Sequence, residues 1–211
     1  MLGKRCGMSD VLDVGVKAGD EARPPDAQAD GALMARVASG DAAAFRGIVE
    51  RHMAMVHSLA WRMLGDRAEA EDVVQETFTR TWVNARSWTP AGGGLGGWLR
   101  RIATNLCLDR LRRRRFVSGE AVPERADKTP GADAGIDDAR RGAAVAAAIG
   151  ALPDRQRAAI VLTYYEGVAN AEAAAILGVG VKAVESLLVR ARQALAHALQ
   201  DHRPSGQGAG S

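Results

Sequence analysis

Asp72, Gln75, Glu76 and Thr79 recur at i, i+3, i+4 and i+7, a spacing that places them on one face of an α-helix. Their chemistry is recognition rather than bond-making. Carboxylates and an amide accept hydrogen bonds and suit an arginine-bearing protein surface. The same carboxylates repel DNA phosphate. Residues 100–115 are the opposite case: seven arginines (100, 101, 110, 112, 113, 114 and 115) stand against one acid, Asp109. Such a cluster attracts phosphate even though the net charge is only +3. A third group, Lys182, Glu185, Ser186, Arg190 and Arg192, follows the glycine turn Val179-Gly180 on a helix whose side chains could read base edges or phosphates. One molecule therefore carries a protein-docking face and DNA-docking faces.

Enzyme chemistry has no comparable footing. GxSxG, HExxH and Walker patterns are absent, and the glycine-rich residues 92–97 lack both GxGxxG and a preceding strand. His52/His57 and His197/His202 are each five apart, where helical metal pairs need three or four. Cys6 and Cys107 form no CxxC. No catalytic residue, metal site or cofactor is expected. Reduced cysteines fit a cytoplasmic setting. The first residues are too acidic for a secretory signal, and no apolar run is long enough to insert in a membrane.

The elements that must carry these residues read as helices throughout. An alanine-rich composition with few aromatics and no strand-like alternation predicts an all-α fold of two small helical domains joined by a flexible linker. Residues 1–29 read as a disordered tail, 30–115 as the first domain, 116–140 as the linker, 141–202 as the second domain and 203–211 as a second disordered tail. A short helix from Ala32 stops at Gly40. Asp41 caps the next, which ends at Gly65, and Asp66 caps a third running to about Ser87. In that third helix Val74, Phe78, Thr81, Trp82 and Ala85 form the expected buried stripe. Pro90 and five glycines predict a loop up to Gly97, where a fourth helix starts. Beyond the linker, Pro153 opens a helix and Asn170 caps the short one to Leu177. A turn at residues 178–180 and a long last helix complete helix-turn-helix proportions.

All four tryptophans lie in the first domain. Trp61 and Trp82 are expected in its core. Trp88 and Trp98 bracket the glycine-rich loop beside the arginines, an arrangement that suits single-stranded DNA or ordinary packing. The arginine run fits phosphate contact equally with a solvated helix end.

Together these features resemble the extracytoplasmic-function (ECF) sigma factors of bacterial RNA polymerase. The likeness rests on Gly40-Asp41-Ala42-Ala43-Ala44-Phe45, residues 70–78, Trp98-Leu99-Arg100-Arg101-Ile102-Ala103-Thr104-Asn105, Asp109 with the following arginines, Ala151-Leu152-Pro153 and Arg190-Ala191-Arg192. The resemblance implies a transcription initiation factor. Its first domain, region 2, would bind the β′ clamp helices of core polymerase through Asp72, Gln75, Glu76 and Thr79. It would also recognise and melt the −10 element through Arg86, Trp88, Trp98, Arg101, Asn105, Arg112 and Arg113. Region 4 would place Lys182, Glu185, Ser186, Arg190 and Arg192 on the −35 element and touch the β flap. Double- and single-stranded promoter DNA, core RNA polymerase and an anti-sigma factor are the implied partners, and stress response the implied setting. Gly94-Leu95-Gly96-Gly97 departs from the family's more polar loop, and Glu185 and Leu187 stand where relatives often carry arginines. A stand-alone helix-turn-helix regulator is the alternative; it would need no acidic docking face.

Overall fold

In the computed structural model, residues 27–90, 93–118 and 136–200 are described; the two expected tails and most of the expected linker lie outside these residues. The described chain is all-α. Helix α1 spans Ala27–Ala38, α2 Ala42–Leu64 and α3 Arg67–Val83, with a single 3₁₀ turn at Ala85–Ser87 and α4 over Gly94–Ser118. The second unit holds α5 (Ile136–Ala151), α6 (Asp154–Ile160), one wide turn (Val161–Tyr165), α7 (Asn170–Leu177) and α8 (Val181–Ala198).

Local chemistry sets most of these limits. Asp41 Oδ1 accepts from the amides of Ala43 and Ala44 at 2.9 and 3.0 Å, satisfying two orphan donors of α2. Those bonds, with Arg36 beside it, hold its carboxyl below the usual range. Gly65 takes the left-handed conformation (φ 65°) that ends α2. Asp66 then accepts from Glu69 N at 2.9 Å and starts α3. Gly178 (φ 64°) closes α7 the same way.

Five expectations need correction. The helix α4 begins at Gly94 rather than Gly97, because Leu95 is fully buried and pulls its glycine neighbours into a first helical turn. Helix α3 stops at Val83, and Asn170 is the first residue of α7 with no side-chain cap. The buried stripe of α3 runs through Ala70, Val73, Thr77, Phe78 and Thr81. Trp82 consequently sits at its edge, 39% exposed and edge-on to Phe45 at 5.0 Å between centroids, outside the core where it was expected. Trp61 is half-buried against the core.

Ile48, Val56, Leu59, Met63 and Leu99 form the heart of the first unit's bundle, and Ile160, Leu162, Val184, Leu188 and Leu195 that of the second unit. Cys107 is buried in the first, and burial pushes its thiol up to about 12. Asp30 and His52 form a buried pair at 3.0 Å that fastens α1 to α2, with Arg51 at 3.3 Å from the same carboxylate. Burial lowers the imidazole's pKa despite the opposing pull of Asp30. Burial thus favours the neutral ring, and the 3.0 Å contact suits its Nε2–H tautomer donating to Asp30 Oδ2.

Two outcomes follow from this packing. Leu99→Ala removes a fully buried side chain and should cost about 2–5 kcal/mol in urea unfolding. A buried neutral histidine binds fewer protons folded than unfolded. Its stabilising contribution is present above about pH 6.5 and is lost as pH falls from there through the lowered folded value. His52→Gln keeps a donor and should flatten that part of a Tm-against-pH curve.

Candidate functional site

Three surfaces bring the expected residues together. On α3, Asp72, Gln75 and Thr79 are exposed, and the Glu76 side chain is 42% exposed. Glu76 pairs with Arg80 one turn on at 2.7 Å, a surface i,i+4 contact worth only a few tenths of a kcal/mol. Thr79 Oγ1 turns back to Gln75 O at 2.8 Å, leaving its methyl outward. The stripe continues at Val83, 71% exposed, with Trp82 beside it. Sequence reading missed this apolar extension because Trp82 was assigned inward; Val83, four residues after Thr79, was the available signal.

On α4, Trp98, Arg101, Asn105 and Arg112 fall at i, i+3, i+7 and i+14 on one face. Arg101, Asn105, Arg112 and Arg113 are exposed, while Trp98 is half-buried against the core. Arg112 meets Asp109 at 2.9 Å. The other two cations of the run are used internally. Arg114 donates to Leu64 O at 3.2 Å and pairs with Glu69 at 2.7 Å, and Arg115 pairs with Asp154. Phe116, at the far end of the same face and 83% exposed, is an aromatic beside arginines that sequence reading did not select. Trp88 is half-buried against the core, and Arg86, exposed in the 3₁₀ turn, donates to Ala38 O at 3.1 Å. These two hold the loop's base rather than extending the α4 face.

On α8, Lys182, Glu185, Ser186, Val189 and Arg190 line one shallow concavity. Arg192 is not among them. Two helical positions lie about 200° apart, so it points to the other flank, and its Nε donates to Leu188 O at 3.2 Å. Leu187 is half-buried against the core. Helices α7 and α8 pack on each other through Ala173, Ala174, Ile176, Leu177, Val184 and Leu188, which sets the crossed pair.

Residues 48–117 match the family model for Sigma-70 region 2, and residues 142–195 match that for Sigma-70 region 4. The ECF RNA polymerase sigma factor SigW of Bacillus subtilis is 33% identical, covering 79% of this chain and 94% of that one. The chain belongs to the ECF sigma factors. It is a transcription initiation factor of RNA polymerase. SigE of Mycolicibacterium smegmatis is 41% identical over 78% of this sigma factor and 66% of its own length. Among solved structures, CnrH in complex with the cytosolic domain of CnrY superposes with a TM-score of 0.62 at 33% identity, covering 83% and 99% of the two chains. The sigma factor RpoE in complex with the anti-sigma factor NepR from Bartonella quintana superposes with a TM-score of 0.63 at 26% identity, covering 75% and 98%. No helix among the described residues of this sigma factor is long and apolar enough to cross a membrane.

The geometry of α8 separates its two arginines. In polymerase-bound form, Arg190→Ala should weaken promoter binding by about 1–3 kcal/mol at fixed salt, and Arg192→Ala by less than about 0.5. Fluorescence anisotropy on a labelled promoter fragment measures both; equal losses would contradict the assignment.

Proposed function

We propose that the three surfaces divide the work of promoter recognition. Asp72, Gln75, Glu76 and Thr79 dock region 2 on the clamp helices of the polymerase β′ subunit, with Val83 and Trp82 supplying apolar contact at one end. The α4 face with Trp98, Arg101, Asn105, Arg112 and Arg113 takes the −10 element, while Arg86 and Trp88 hold the loop beside it. Lys182, Glu185, Ser186 and Arg190 enter the major groove of the −35 element. The β flap lies against region 4.

Strand opening fits this division. Unstacking a base costs a few kcal/mol. The chain offers no nucleotide-hydrolysis motif to drive it. Capture of the displaced strand offsets that cost instead: stacking on an aromatic contributes about 1–3 kcal/mol per base, and arginines add phosphate contacts. Trp98 and the exposed Phe116 lie on the arginine face and suit that role. Neither domain needs to bind tightly alone, because the tether makes the second contact intramolecular.

The observation that carries this reading is the coexistence of an exposed acidic face with two cationic helix faces in one chain. A stand-alone regulator has no use for the first. The factor acts in the cytoplasm, without catalysis of its own. CnrH and RpoE were each solved with a partner, in the second case an anti-sigma factor. By likeness we assign this chain an anti-sigma partner that masks its polymerase-binding surfaces.

Asp72→Arg tests the central claim. It should lower core polymerase affinity at least about tenfold, or 1.4 kcal/mol, with the circular dichroism spectrum unchanged. Full retained affinity, measured by anisotropy of labelled protein, would remove the docking face from consideration.

A further inference from the structure

The apolar side chain in the α8 concavity has no place in the polar readout assigned above. Val189 is 46% exposed, and its neighbours there are Lys182, Glu185, Ser186 and Arg190. A single exposed valine is ordinary on a protein surface. What sets this one apart is its position. At about 100° per residue, Glu185, Val189, Lys182, Ser186 and Arg190 follow one another around an arc of about 140°. The buried side chains Val184, Leu188, Ala191 and Leu195 occupy the opposite side of the helix. Val189 lies within the outward arc, between the acid on one flank and the Lys182–Ser186–Arg190 row on the other. Helix propensity does not account for it, because a β-branched residue is a weaker helix former than alanine.

The side chains around it narrow what each can meet in a major groove. Glu185 carries only acceptors, so the base opposite it must donate, and cytosine N4 is the matching partner. Ser186 Oγ donates to Lys182 O at 2.9 Å, which leaves it lone pairs alone to face outward. Val189 offers neither donor nor acceptor. Against guanine, adenine or cytosine it would strip water from a hydrogen-bonding edge and replace none of the lost bonds. Thymine alone presents a methyl group, at C5. Glu185 and Val189 are one helical turn apart, about 6 Å along the axis, and successive bases are about 3.4 Å apart. Their targets therefore lie one or two steps from each other.

We propose that Val189 is a specificity-determining residue of region 4. Its methyl groups rest on the C5-methyl of a thymine in the −35 element, one or two base pairs from a cytosine that donates to Glu185. The inference rests on the −35 assignment made above and adds base identity to it. Part of the discrimination is refusal: cytosine at the thymine position would turn its N4 donor toward an apolar surface.

Holoenzyme formed from core polymerase and the full chain tests this by selecting from a duplex library of random sequence long enough to hold both elements. Selected fragments should share an upstream thymine with a cytosine one or two positions away. Deoxyuridine in place of that thymine removes the methyl and nothing else. It should lower affinity about fourfold, the effect of losing burial of one methyl-sized group. In Val189→Ala holoenzyme the same replacement should be silent, and selection should relax at the thymine while keeping the cytosine. Alanine is the better helix former, so this exposed substitution does not threaten folding. Val189→Gln, whose amide matches adenine N6 and N7, should move selection from thymine to adenine at that position. Glu185→Gln should alter the cytosine position alone. Base preferences unchanged in Val189→Ala, or a wild type indifferent to deoxyuridine at every upstream thymine, would overturn the inference and leave the −35 assignment standing. Selection of no upstream element would overturn the −35 assignment and this inference with it.

Discussion

The guanidinium of Arg157 sits where two helices end. The last carbonyls of α2 and α5 converge on it, and each set is the negative end of a helix dipole. A buried cation with no such partners would cost several kcal/mol. Here it satisfies carbonyls that helix geometry leaves orphaned. The position of α6 follows from this, because its first turn must place Arg157 at that junction. From α6 hangs the wide turn, and from the turn the helix pair α7–α8. The orientation of the recognition helix relative to region 2 therefore rests in part on this side chain, 6% exposed, together with the Arg100–Glu166 pair and the packing of α4 on α7.

The helix-turn-helix and the bundle differ in how they keep their working faces outward. In region 2, Ala70, Val73, Thr77 and Thr81 take the inward stripe of α3, which leaves Asp72 and Gln75 no route to the core. In region 4, Val184, Leu188, Ala191 and Leu195 do the same for α8. Small residues matter in both: threonine and alanine let neighbouring helices approach while the polar faces remain hydrated. The exposed side chains are thus positioned by burial of their neighbours rather than by bonds of their own.

Much of this was legible in the sequence where the controlling chemistry is local. Asp41, Gly65, Asp66 and Gly178 act on amides and carbonyls within a few residues, and each stands where the sequence places it. The outward faces at Asp72, Gln75 and Thr79, and at Lys182, Glu185 and Arg190, followed from helical period alone. Arg192 did not, because charge invited the same role as Arg190 although the period separates them. Trp82 was misplaced for a related reason: ring size suggested burial, while the small residues Thr77 and Thr81 took the interior. The glycines at 94, 96 and 97 argued for loop, and only the fully buried Leu95 explains their helical turn. The contact between the two units left no sequence trace at all. Arg100 and Glu166 are 66 residues apart, and Met63 and Arg157 are 94 apart, beyond any local pattern.

Cys107 is buried, like Ala103 and Leu106, on the inward side of α4, whose outer face carries Arg101 and Asn105. It is the sole thiol of residues 27–200. Burial holds the proton on this thiol, so the reactive thiolate is disfavoured at neutral pH. Peroxide and electrophiles react with thiolates, so this buried cysteine is a poor receiver of oxidative signals. The cysteine of these two modules thus serves as packing rather than as a redox sensor.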